Sequence, residues 1–312
     1  MEAIARAILQ GRLSASLIAA ALFLATIYLP VVGGVLGMVA AVPAALIAWE
    51  VGTRGLVEVG AIGGVIIALA TLQPFAPLAW LVAFWLPVGL AVLPLRQGPY
   101  FAATGLGLAV VILGVMGAWV LALNGSPEEL VRGWVSDGLR TWVESRGLPQ
   151  ADTERVLERL QADLVPTAAQ FLPGAMGAGV LLTWAVNGLV GLRLAALIGD
   201  APELGPTLRG FRSPDSALWL VIALGGLTWL GAGGPLGYWA GNGLVVMAAL
   251  FMAQGLAVVH SARLAFGLAR GWLVAFYIVM GLFLQIALAV ALLGLADVWA
   301  DFRSKLNSAD SS

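Results

Sequence analysis

Residues 124–167, NGSPEELVRGWVSDGLRTWVESRGLPQADTERVLERLQADLVPT, are the only long hydrophilic stretch in the chain. They separate an apolar block of about 110 residues from another of about 130, and they hold eight of the 17 acidic residues and five of the 16 basic ones. Ser126-Pro127-Glu128-Glu129 has the form of a capping box, in which the serine hydroxyl accepts from the Glu129 N–H and proline fills the first helical position. Leu130, Val131, Trp134, Val135, Leu139, Trp142 and Val143 then recur at helical spacing. Glu128–Arg132 and Arg140–Glu144 pair opposite charges one turn apart. Gly147 and Pro149 end this helix, and a second is expected from Asp152 to Pro166, with Val156, Leu157, Leu160 and Leu164 on one face. The apolar face with its two tryptophans rests either on a membrane interface or on the protein's own spans. A separate aqueous domain is disfavoured, because about 40 residues rarely bury a sufficient core and no cysteine is present to staple one.

The rest is membrane in character. The chain is 61% hydrophobic and 11% charged, with a mean hydropathy of +0.96, against about 25% charged residues in soluble domains. Its apolar runs are continuous and do not alternate, which excludes a β-barrel reading and predicts an all-α, polytopic transmembrane bundle. Apolar segments fall at roughly 13–31, 33–49, 56–73, 76–94, 101–123, 168–192, 216–232, 240–262 and 271–296. Eight to nine spans are expected, one of them irregular, and 31–56 (Pro30, Gly33, Gly34, Gly37, Pro43, Gly52) is the candidate. The expected organisation is an N-terminal transmembrane block (1–123), a two-helix amphipathic extracytoplasmic segment (124–167), a C-terminal transmembrane block (168–303) and a disordered tail (304–312). With the N-terminus in the cytoplasm, inner loops collect Arg6, Arg12, Arg54, Arg96, Arg193, Arg209, Arg212, Arg263 and Arg270, while the short outer loops collect no arginine. This asymmetry sets the orientation in a bacterial inner membrane. Nine spans would place the tail outside despite Arg303 and Lys305; a re-entrant segment would return it to the cytoplasm.

No motif for nucleotide, zinc or nucleophile chemistry is present, and one histidine precludes a multi-histidine site within the chain. An enzyme is therefore disfavoured, no cofactor is expected, and a net charge of −1 argues against nucleic acid as a partner. Glu50, Arg54 and Glu58 are spaced as a self-neutralising ladder. Asn187 (one turn after Thr183), Gln254, His260 and Gln285 are the polar residues within apolar segments that suit a ligand-lining role, with Tyr277 near the same level. The competing reading is that such amides join helices to one another. Small-residue pairs (Ala15/Ala19, Ala21/Ala25, Gly33/Gly37, Gly60/Gly64, Gly237/Gly241) suit close helix contacts.

Three patches carry a family resemblance: Phe211-Arg212-Ser213-Pro214 with Trp219; Gln254-Gly255 running to His260; and Gly294, Asp297 and Asp301-Phe302-Arg303. Together they resemble the YybS-like family of bacterial membrane proteins, whose members look distantly similar to the substrate-binding subunits of energy-coupling-factor vitamin transporters. That likeness implies a transport-associated, solute-binding subunit that takes its energy from ATPase and coupling subunits, with Ala15/Ala19 and Ala21/Ala25 as docking pairs. Read from the residues alone, Arg212 and Pro214 mark a loop-to-span junction, and Asp297, Asp301 and Arg303 a charged span end. The alternative function is a non-catalytic scaffold that holds another membrane protein through residues 126–165.

Overall fold

The computed structural model describes residues 2–29, 32–96, 101–147, 149–199 and 208–309. Among them every regular element is helical. In chain order they are α1 (Glu2–Leu9), α2 (Arg12–Tyr28), α3 (Val32–Gly37), α4 (Val42–Glu50), α5 (Thr53–Thr71), α6 (Phe75–Trp80), α7 (Leu86–Val92), α8 (Phe101–Ala122), α9 (Pro127–Glu144), α10 (Gln150–Asp163), α11 (Val165–Ala195), α12 (Asp215–Leu230), α13 (Pro235–Ala265), α14 (Arg270–Leu282), α15 (Leu284–Ala300) and α16 (Phe302–Ala309).

Five helical stretches among the described residues are long and apolar enough to cross a membrane: Thr53–Thr71, Phe75–Leu95, Phe101–Ala122, Val165–Ala195 and Pro235–Ala265. The count reaches seven if two bent pairs, α1–α2 (118°) and α14–α15 (112°), each form one span. It stays below the expected eight to nine because two apolar segments fold as shorter helices. Segment 33–49 becomes the six-residue α3 and the nine-residue α4, and 216–232 becomes the 16-residue α12. At 1.5 Å per residue, α12 reaches only about 24 Å against a hydrocarbon core of about 30 Å. Segment 271–296, expected to be continuous, breaks at Phe283. Residues 304–309 of the expected disordered tail lie in α16, and 310–312 fall outside the described residues.

The chain divides into two compact units, interleaved in sequence: Met1–Leu108, Gly179–Pro214 and Ala249–Ser312 form the first; Ala109–Ala178 and Asp215–Ala248 form the second.

In the first unit, Ala15, Ser16, Ala19 and Ala20 of α2 are fully buried, and the Ser16 hydroxyl donates to the Val59 carbonyl of α5. A Cβ at Gly33 or Gly37 would strike Ala25 or Thr26, so α3 folds back on α2 at backbone distance. Ala15 and Ala19 thus serve packing inside the chain, whereas Ala21 of the second expected docking pair is exposed. The Glu50–Arg54–Glu58 ladder is corrected. Gly52, at φ +84°, ends α4 and starts α5, so Glu50 leaves the helix that carries Arg54 and Glu58. Glu58 is held instead by Arg54 (2.9 Å) and Arg12 (2.6 Å).

A π-turn, Leu81–Trp85, joins α6 to α7 just before Pro87, which has no N–H for the carbonyl four residues back. The wider turn brings Trp80 and Trp85 together, ring centroids 5.0 Å apart, over Gly63 and Gly60 of α5. The Trp85 indole N–H donates to the Leu56 carbonyl at 3.0 Å.

In the second unit, Pro173 lies inside α11. It cannot donate to the Ala169 carbonyl, and the ladder is disturbed beside it. Two residues one turn apart on α13 repair the break. The Tyr238 hydroxyl donates to Ala169 O (2.8 Å). The Asn242 amide accepts from Gly174 N–H (2.7 Å) and donates to Gln170 O (2.9 Å) and Tyr238 O (3.0 Å). Neither residue stands out in the sequence. The available signal is Pro173 itself, since a proline in a span demands substitute partners. We expect Asn242→Ala to lower stability by about 1–3 kcal/mol, the cost of leaving a buried polar group unmet. Tyr238→Phe should cost about 1 kcal/mol in the natural chain, and its cost should vanish in a Pro173→Ala background, where Ala169 O regains its backbone donor. Thermal unfolding of the four combinations in detergent checks both.

Candidate functional site

The three sequence patches converge in the first unit. Residues 208–214 lead toward α12, Gln254 lies on α13, and Asp297 lies near the end of α15. Asp301 ends α15 in the left-handed region, at φ +44°, a conformation that aspartate tolerates better than most residues. That residue turns the chain so that Phe302 and Arg303 come back onto Asp297. The Asp297 carboxylate, 1% exposed, accepts from Phe302 N–H (3.0 Å) through one oxygen. Through the other it accepts from Gln254 (3.1 Å) and from Arg303, whose closest nitrogen is 2.8 Å away. Arg303 also donates to the Arg209 and Phe211 carbonyls, both at 2.8 Å. The Gln254 oxygen accepts from Ser213 N–H at 2.9 Å.

Each charge here meets its opposite, and the backbone of 209–213 is bound from both sides. The geometry is that of a clasp holding a loop to two helices. The Ser213 hydroxyl is buried without a hydrogen-bond partner among the described residues. Arg212 and Asp301 approach to 3.8 Å at the rim, both about half exposed, where such a pair contributes little.

The clasp depends on close helix contact. Gly255 of α13 lies against the Val290 carbonyl, and Gly294 of α15 against the Phe251 carbonyl and Gly255 N. These positions run antiparallel along the two helices. Phe211 seats the loop from the other side, in edge contact with Phe101 (6.0 Å), which stacks on Trp184 (4.5 Å).

The proposed ligand-lining residues do not form one group. Asn187 is fully buried and accepts from Ala41 N–H (2.9 Å) while donating to Met38 O (2.8 Å) and Thr183 O (2.7 Å). Both amide hydrogens are used, and they splint the gap between α3 and α4. Gln254 belongs to the clasp. His260 is half-buried on α13, its Nε2 2.8 Å from the Tyr277 hydroxyl of α14. Gln285 is exposed in the first turn of α15, just after the break at Phe283. Trp219 stands 69% exposed on α12, in the second unit. No group of three or more metal-ligating side chains occurs among the described residues.

Helices of this length and hydropathy define a multi-pass helical membrane protein. The chain belongs to the family described as "Predicted membrane protein (DUF2232)", whose model matches residues 137–298, just over half its length. No curated protein and no solved structure matches it.

Proposed function

We propose that the protein is a non-catalytic, transport-associated subunit of the bacterial inner membrane that binds a small solute and takes energy from separate ATPase and coupling subunits. The observation that carries this reading is the interrupted helix at residues 38–41. Ala40, Ala41 and residues 42–48 of α4 are buried, and Asn187 supplies the hydrogen bonds that a continuous helix would have made. Irregular backbone at membrane depth persists only where protein or a cavity surrounds it, and solute carriers build their sites from such broken helices. The likeness to YybS-like proteins and energy-coupling-factor binding subunits supports the same reading by analogy alone.

Within this proposal the site residues take two roles. Asn187 and Gln254 position the broken helix and the clasp; the exposed Gln285, and the half-buried His260 with its partner Tyr277, are the groups assigned to a ligand. The arginine asymmetry supports an N-terminus in the cytoplasm and 124–167 outside.

A second reading is a scaffold that retains another envelope protein through 126–165. Its support is that the Asn187 and Gln254 amides are spent on the chain's own backbone and side chains. Native mass spectrometry of the protein, gently extracted from its own membranes, separates the two. The transport reading expects ATPase and coupling subunits or a bound small molecule, with occupancy falling at least several-fold in His260→Ala at unchanged melting temperature. Recovery with a different envelope protein and no solute, abolished by deleting 126–165, would replace it with the scaffold.

A further inference from the structure

The hydrophilic hairpin divides its apolar residues into two sets. Val131 and Val143 of α9 are 1% exposed and turn into the protein, with Val135 and Leu139 partly covered between them. Trp134 and Trp142, by contrast, are 56% and 51% exposed, although both are large apolar side chains. Gly138 lies between them, so the three make a stripe at four-residue intervals along one side of α9. Arg140 and Glu144 are exposed around the helix from this stripe.

The surroundings say what covers it. α9 begins five residues after α8 ends, and α8 is a candidate membrane span. The large apolar side chains Val111, Val115 and Leu121 of α8 are exposed. Trp119, one turn from the end of α8, touches Trp134, ring centroids 6.0 Å apart. That contact fixes the depth of Trp134 at the last turn of a span, which is where tryptophan concentrates in membranes. Farther along, the Arg146 guanidinium lies 4.5 Å from the Trp142 ring centroid. An indole topped by a cation is the arrangement expected where a ring meets the acyl boundary and the charge meets lipid phosphates.

We propose that α9 lies in the membrane–water interface, with Trp134, Gly138 and Trp142 against lipid and Arg146 at the headgroups. The surface is thus a lipid-contact face of the hairpin. It is independent of whether the protein binds a solute.

The absence of cysteine makes single nitroxide labels straightforward. Gly138→Cys places a label in the stripe, where an added Cβ meets nothing within 4 Å. Arg140→Cys, two residues on, turns about 200° away from it. Thr141→Cys, exposed on the stripe side, serves if the glycine position disturbs folding. The full-length protein is reconstituted in vesicles of phosphatidylcholine and phosphatidylglycerol, and collision with oxygen is compared with collision with a water-soluble nickel chelate. Labels at 138 and 141 should favour oxygen several-fold, and the label at 140 should favour the nickel chelate. Equal nickel access at 138 and 140 would overturn the proposal by placing the stripe in water. Shielding of 138 from both reagents would overturn it by showing that protein covers the face.

Discussion

Gly294→Ala should remove about 3 kcal/mol or more of stability, the upper end of overpacking costs, and Gly294→Leu should leave no folded protein to isolate. A Cβ at position 294 would collide with the Phe251 carbonyl oxygen and stand 2.6 Å from Gly255 N. Both obstacles are backbone, so no side chain can swing aside and α13 and α15 must separate. Separation also strains the bond from Gln254 to Asp297, three residues beyond Gly294. Gly107→Ala is the control. It too is a helical glycine, but nothing lies within 4 Å of its added Cβ, so gaining helix propensity should leave it neutral or better by about 0.5–1 kcal/mol. Melting temperatures in one detergent compare the two, and equal values would remove the contact from the account of the fold.

Gly255 and Gly294 show what kind of information a single sequence carries. Both lie within recognisable patches, but so many glycines and alanines occur that no pair announces its partner. The local features were legible: the serine cap of α9 forms as its spacing implies, with Ser126 accepting from Glu129 N–H, and Pro43 and Gly52 foretold an irregular 31–56. Charge and hydropathy were enough for a helical membrane protein. Long-range pairing was not legible. Arg303 reaches carbonyls more than 90 residues away, a relation with no periodicity behind it. For Asn187 the sequence left a ligand role and a helix-joining role both open, because a buried amide looks the same whether it meets a solute or a neighbouring backbone. The bend at Phe283 was also hidden, since it falls inside one continuous apolar run with no proline to mark it.

The clasp gives the second large effect. Asp297→Ala should cost about 3–5 kcal/mol, because it leaves the Arg303 charge buried without its counter-ion. Arg303→Met should cost a similar amount by leaving Asp297 unpaired and freeing the carbonyls of Arg209 and Phe211. If the two acted separately, the double variant would lose the sum. They do not act separately, because each single change strands the other's charge and the double change strands neither. The double variant should therefore be less destabilised than the sum by about 1.5–3 kcal/mol. Recovery should still be incomplete, since the double variant leaves Phe302 N–H and the Gln254 amide without Asp297, and both carbonyls without Arg303. Asp297→Asn sharpens the distinction. It retains an acceptor for Phe302 N–H but lacks the charge that Arg303 requires, so a loss close to that of alanine would assign the clasp's strength to the ion pair. A loss near 1 kcal/mol, the scale of a neutral hydrogen bond, would assign it to the hydrogen bonds, and simple additivity in the double variant would show that the pair is not coupled.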